Sequence, residues 1–275
     1  MATTTGMADT GLLLARAGGP IAHDLAKRLT RVAREKVSAR DVHRLRSGSR
    51  RLAALFHHLP GPGGSARRRR VRSMIRLLRR RAGKVRDCDV SLEIVERELP
   101  AGDASREIRR RLRRRRDRAA RKLVEASALL LSRELPARLI AAVGKKTIPQ
   151  SRAHAALERC RRRVVALARR VVDKPDHADR LHKLRLAVKG HRDTAAFLVG
   201  VVPGAAPAAD RAKALADLLG KAQDLAVLSD LLTRVARRAR GDAREGIVML
   251  QRRLNRRLKT AQRHAASALG GAGGA

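Results

Sequence analysis

Apolar residues in this 275-residue chain recur at three- and four-residue spacing, and no stretch sustains period-two alternation, so the pattern predicts helices from end to end. Most segments are rich in Ala, Leu, Arg and Glu, which favour helix. Breakers divide them at Pro60 to Ser65, Pro100 to Gly102, Gly144 to Pro149, Asp173 to Asp176, Pro203 to Pro207 and the Gly/Ala tail. The helices are expected near 20–37, 40–59, 66–83, 87–99 and 103–134 in the first half. In the second they are expected near 150–172, 177–200, 208–221, 224–240 and 242–268. Four or five helices per half, joined by short turns, predict an all-α protein in which each half is an antiparallel bundle with its own core. Residues 1–18 are expected to be a loose leader and 269–275 a flexible tail. The folded unit between them, 19–268, would consist of two repeats, about 19–140 and 148–268.

The division into halves rests on repetition. Asp41 to Arg51 returns as Arg180 to Gly190, with His43 matching His182, Arg46 matching Arg185 and Arg50 matching Lys189. Downstream, Gly83-Lys84-Val85-Arg86-Asp87 is echoed by Gly220-Lys221-Ala222-Gln223-Asp224. Two landmarks recurring in the same order imply an internal duplication, and halves related by an approximate two-fold axis can aim the same basic helix face at one shared cleft.

On a helix, positions i, i+3 and i+7 share an arc of roughly 60°, so His43, Arg46 and Arg50 form one ridge, extended by His57. Val42, Leu45, Ser49, Leu52 and Phe56 gather on the neighbouring arc and are expected inside. The second copy places His182, Arg185, Lys189 and Arg192 on one ridge beside Leu181, Leu184 and Val188. A basic stripe on a single helix is ordinarily a solvated surface. Its recurrence in equivalent helices favours a binding role.

Composition says what would bind. Lys and Arg total 65 against 25 Asp and Glu, a formal net charge of +40. Such a chain repels itself unless an anion relieves it. Arg far outnumbers Lys, and its planar fork matches phosphate oxygens in pairs. A histidine flanked by cations one and two turns away is a poor metal ligand and a good phosphate donor, so no metal or cofactor is expected. Asp87 and Asp224 are read as structural residues, either capping a helix start or holding a nearby Arg of the anion site. Arg79, Arg80, Lys213 and Lys221 are weaker phosphate candidates on adjacent helices. Cys88 and Cys160 lack the spacing of a zinc site or a disulfide framework and are expected to be buried thiols. Apolar runs such as Ala128 to Leu131 are too short for membrane insertion, and no secretory signal is recognised, so a cytoplasmic location is expected.

These segments resemble the CHAD domain, the conserved histidine α-helical domain, which pairs two His-x-Leu-Arg helices with two downstream Arg-Asp-Leu-Asp-like or Asn-Asp-Leu-like segments. Here they read Val42 to Arg46, Arg86 to Val90, Leu181 to Arg185 and Gln223 to Val227, and the likeness extends over about 20–265. The resemblance implies two four-helix bundles with pseudo-two-fold symmetry and a basic central groove that binds inorganic polyphosphate. It also implies residence on polyphosphate granules. Gly48 and Gly190 depart from the pattern, each weakening a helix interior by about 1 kcal/mol. Gly190 leaves Arg51 without a counterpart, so the two phosphate surfaces are expected to be unequal.

Non-catalytic polyphosphate binding is therefore the leading expectation. The alternative is nonspecific DNA or RNA binding, which the charge would serve equally. With no Trp or Tyr and only Phe56 and Phe197, base stacking has few platforms. An enzyme acting on phosphate esters is disfavoured, because no Gly-x-x-x-x-Gly-Lys-Ser/Thr loop occurs and His23-Asp24 and His57-His58 come without an ordered carboxylate set.

Overall fold

Buried leucines and valines at helical spacing organise the whole chain in the computed structural model, which describes residues 12–34, 37–59, 65–99, 102–144, 147–173, 177–237, 239 and 241–271. Among these the elements are α1 (Leu14–Ala33), α2 (Ala39–His58), α3 (Ser65–Glu98), α4 (Asp103–Ser132), α5 (Leu135–Val143), α6 (Gln150–Val172), α7 (Ala178–Leu198), α8 (Ala205–Ala236) and α9 (Gly241–Gly271). The all-α expectation holds, with one addition. Leu12–Leu13 (β1) pairs antiparallel with Thr147–Ile148 (β2), a contact of two residues per strand that is too short to leave a period in the sequence.

Several expected boundaries are corrected. Helices expected at 66–83 and 87–99 are the single α3, and those at 208–221 and 224–240 are the single α8. Gly83 and Gly220 do not adopt positive φ, unlike Gly144, Gly200, Gly204 and Gly241, so neither ends a helix. Buried Ala82, Val85 and Cys88 carry α3 through the glycine, and buried Leu219 and Ala222 do so in α8. Helix α5 has no counterpart among the expected helices; it starts at Leu135, with Pro136 in its first turn, after Glu134 turns the chain with φ of 57°. The expected leader is helical from Leu14, and Gly18 packs so closely that a Cβ there would lie 2.7 Å from Leu55. Helix α9 runs to Gly271 with Leu269 buried, so the first residues of the expected tail are helical, and its residues 272–275, like 1–11 of the expected leader, lie outside the described residues.

The start of α2 is fixed by a tight polar cluster. Ser38 Oγ accepts from the Asp41 amide at 3.0 Å and its hydroxyl donates to the Asp41 carboxylate at 2.7 Å. Arg28 of α1 donates to the same carboxylate at 2.6 Å. Burial opposes the Asp41 charge, yet Ser38, Arg28 and Arg31 together hold its carboxyl below the usual range.

The cores do not divide at the midpoint of the chain. The largest joins α1, α2, α5 and parts of α3 and α4 to the start of α6, the end of α7 and the start of α8. A second is made where the α3–α4 turn packs on the α8–α9 turn, through Val95, Ile108, Leu112, Leu232 and Ile247. A third holds Val171, Leu184, Val188, Leu219 and Ala265. The expectation of one core per half is thus replaced by three, two of which use residues from both halves. The Arg109 to Arg116 run belongs to α4, which lies along the bundle. Ile108 and Leu112 are fully buried, and Arg116 donates to Asp89 at 2.6 Å.

Candidate anion-binding site

Helices α2 and α7 pack side by side, with α3 against α2 and α8 against α7. This brings the two basic ridges into one cluster. Arg46 pairs with Asp87 of α3 at 3.3 Å. Arg185 faces Asp224 of α8 and lies close to Arg46 and Arg50. Arg50 donates to the buried Asp193 of α7 at 2.7 Å, and Arg192 donates to the same carboxylate at 2.8 Å. Lys189 sits among Arg185, Arg50, Arg46 and Arg192. Burial first, and these four guanidinium groups next, push its amine down to about 7. Burial likewise lowers Arg185, whose Nε has no hydrogen-bond acceptor. On the other side of the balance, burial raises the Asp224 carboxyl against the pull of Arg185, Lys189 and Arg46.

The histidines lie at the rim of this cluster. His43 is exposed; partial burial and then Arg86, Arg50, Arg46 and Arg44 hold its imidazole below the ordinary value. His182 is also exposed and its Nδ1 donates to Gln223 Oε1 at 3.0 Å. Arg86, whose charge repels that of His43, and Gln223, which bonds His182, stand at positions that the sequence echoes. His57 Nδ1 accepts from Arg72 at 3.2 Å. Its neighbour His58 is pushed down to about 4 by burial, with His57 and Arg163 adding to the effect.

The capping reading of Asp87 and Asp224 is corrected. Both stand inside continuous helices, where no free amides await a cap, and both face an arginine of the ridge instead. Arg79 adjoins the cluster; partial burial, then Arg76, Arg46 and Arg50, lower its guanidinium. Arg80, Lys213 and Lys221 are exposed on α3 and α8 and line neither groove described below. Arg51 turns aside, its guanidinium 5.6 Å from the centre of the Phe197 ring. A Cβ on Gly48 would make ordinary contact with Leu25 at 3.4 Å, and one on Gly190 would lie closer, 3.3 Å from His58 Nε2.

From Lys189 a cleft of about 350 Å³ opens between α2, α3, α6 and α7. Arg72, Arg76 and Arg163 on its walls had no motif to mark them, and neither did Asp193. Only the recurrence of Arg72, Arg76 and Arg79 along one face of α3 signalled that wall in the sequence. On the far side, a groove of about 370 Å³ beside His182 includes Asp179, Arg185, Gln223 and Asp230. Cys160 lies on the floor of the first cleft, buried, with Sγ 3.3 Å from His58 Nδ1, and desolvation raises its thiol. Among the described residues no three His, Cys, Asp or Glu side chains gather closely enough to hold a metal ion. Nor is any described helix long and apolar enough to cross a membrane.

The sequence model of the CHAD domain matches residues 19–233. No match was found among curated proteins. The CHAD domain from the plant Ricinus communis, a crystal structure, superposes with a TM-score of 0.71 at 19% identity, covering 98% of this chain and 96% of that one. PptA from Streptomyces chartreusis superposes with a TM-score of 0.68 at 15% identity, covering 92% and 98%. At these identities the superpositions speak for the fold, and the family match covers most of the sequence. With the ridges, their carboxylate partners and the helical frame all in place, the chain belongs to the CHAD domain family.

Proposed function

We propose that this protein binds inorganic polyphosphate, without catalysis, in the cation cluster where α2 and α7 meet. The observation that carries the reading is Lys189, a lysine held near the middle of four arginines with its amine at about 7. Such crowding opposes folding and is relieved when an anion enters. A linear phosphate polymer supplies charge at close intervals and can thread between helices, whereas the bases of single-stranded nucleic acid need stacking surfaces. Phe56 and Phe197 are both buried and offer none. The matched pairs Arg46–Asp87 and Arg185–Asp224 support an internal duplication in which each half contributes one wall, with pseudo-two-fold-related bundles as its structural form. Residence in the cytoplasm on polyphosphate granules follows from this activity.

The test is competition at fixed salt: long-chain polyphosphate displaces the protein from duplex DNA, and excess DNA leaves the polyphosphate complex intact. The reverse order of displacement makes the protein a nucleic-acid binder. Replacing His182, Arg185 and Lys189 together by Ala weakens polyphosphate binding strongly while helicity is retained. Unchanged binding moves the site elsewhere. Phosphate release in the presence of magnesium overturns the non-catalytic reading.

A further inference from the structure

On one side of the central cluster, positive charge continues outward. On α3, Arg72, Arg76 and Arg79 recur along one face, and all three line the cleft that opens beyond Lys189. Asp87 and Asp224 are separated by 224 − 87 = 137 positions, and that offset maps the three arginines onto Ala209, Lys213 and Ala216 of α8. Ala216 is buried, and Lys213 is exposed without lining either groove. The groove on the α8 side balances Arg185 and His182 with Asp179 and Asp230. The two halves thus share a centre and differ in what surrounds it.

The cleft on the α3 side is continuous with the centre. At its inner end stand Arg50, Lys189 and Arg79. At its outer end, Arg72 donates to His57 Nδ1, and Arg163 lies close to His57 and His58. Position 50 to position 57 on α2 spans about 10 Å. Between them the lining includes the uncharged Ala53, Ala54, Leu186, Ala187 and Gly190, with Cys160. Asp193 is the one carboxylate in the lining, and Arg50 and Arg192 already engage it. Arg72, Arg76 and Arg163 have no carboxylate partner among the described residues.

We propose that this cleft is an extension subsite, which receives the continuing phosphoryl units of a linear polyanion whose first segment rests on Arg185 and Lys189. The inference rests on the polyphosphate reading above and adds a direction to it: the chain leaves the centre along α2 and α3, and affinity climbs with chain length until the cleft is filled. Arginines spaced along a trough with one carboxylate, already engaged, suit a single file of phosphoryl groups. A duplex does not fit a cavity of this size.

The experiment compares tripolyphosphate with long-chain polyphosphate, at one salt concentration, on the wild-type chain and on Arg72→Gln/Arg76→Gln/Arg163→Gln. The triple variant loses at least tenfold in affinity for the long chain and less than twofold for tripolyphosphate. Its plot of log K against log salt for the long chain becomes shallower by about 2, three lost contacts at roughly 0.7 each. Lys213→Ala, the mirrored position, leaves both affinities within twofold. Equal losses for the two ligands, or no loss for either, overturn the subsite and leave the central site standing. Failure of the wild-type chain to bind long polyphosphate overturns the functional reading itself. If the triple variant loses helicity, Arg72→Gln and Arg163→Gln are measured singly, and each must affect the long chain more than the short one for the subsite to stand.

Discussion

Arg50 of α2 and Asp193 of α7 meet at 2.7 Å across 143 positions of sequence, tying together the two helices that carry the cation cluster. The Asp193 side chain is only 4% exposed, while Arg50 is 27% exposed and Arg192 20%. Removing the carboxylate leaves two part-buried guanidinium groups uncompensated beside Lys189. Asp193→Ala therefore lowers stability by about 2–3 kcal/mol in urea denaturation, at the lower edge of what a broken buried pair costs because the arginines retain some water. A loss below 0.5 kcal/mol, which is about the size of an ordinary surface change, refutes this role.

Lys189 makes both stability and binding depend on pH. Its amine is near 7 in the folded protein and about 10.4 in an unfolded chain. Between those values the unfolded state binds more protons, so the stability of the free protein rises with pH across that window. Below pH 7 the lysine is charged in both states and its penalty is complete. Lys189→Met accordingly raises the melting temperature most at pH 6, by roughly 3–6 °C for about 1–2 kcal/mol, and the advantage shrinks toward pH 10. A flat difference across that range contradicts the assignment.

Polyphosphate reverses that shift. A bound phosphate favours the charged amine, so binding at pH 8.5 takes up close to one proton, and affinity falls as pH rises above 7. Calorimetry in two buffers of different ionisation enthalpy reads the uptake directly. Lys189→Met abolishes that proton uptake; uptake unchanged in the variant assigns the proton to another group.

Asp87 and Asp224 occupy echoed positions in different surroundings. The Asp87 side chain is 43% exposed, whereas burial raises the Asp224 carboxyl in the company of Arg185, Lys189 and Arg46. A carboxyl raised in the folded state carries its charge at a cost at pH 7, so Asp224→Asn raises the stability of the free protein at that pH, whereas Asp87→Asn changes it by less than about 1 kcal/mol. Added polyphosphate raises the melting temperature more for the Asp224 variant, because one negative charge fewer then faces the ligand, which binds only the folded state. Equal effects of the two substitutions would mean that the two sites are equivalent after all.

Gly220 and Gly18 separate two roles that glycine plays inside a helix. A Cβ on Gly220 meets nothing within 4 Å, whereas one on Gly18 lies 2.7 Å from Leu55 and 3.2 Å from Val143. Gly220→Ala stabilises by about 0.5–1 kcal/mol through helix propensity. Gly18→Ala destabilises by about 1–3 kcal/mol through overpacking. Chemical denaturation of the pair checks both signs.

The ridge was readable because helical geometry is local. His43, Arg46 and Arg50 share a face at any position in any fold, and so do His182, Arg185 and Lys189. Where glycine would act was not local. Gly83 and Gly220 carry a turn signal, but buried neighbours on both sides keep the helix running, and the Asp residues beyond them face arginines across a helix interface. Asp193 was invisible for a related reason. It stands in no repeated motif, and its partner Arg50 is brought to it only by the packing of α2 on α7.

The amino-acid sequence alone determined that the chain is helical, that its two halves echo one another, and that two cationic ridges of fixed composition exist. Each of these follows from residue spacing within one helix or from charge summed over the chain. Tertiary structure decided which cations are enclosed and which stay in water. It set Lys189 and Arg185 within the cluster and the two histidines at its rim, shared the cores between the halves, and opened a basic cleft from the cluster along α3. Those outcomes depend on desolvation and on charges that meet across helices, and both are settled only when the helices pack.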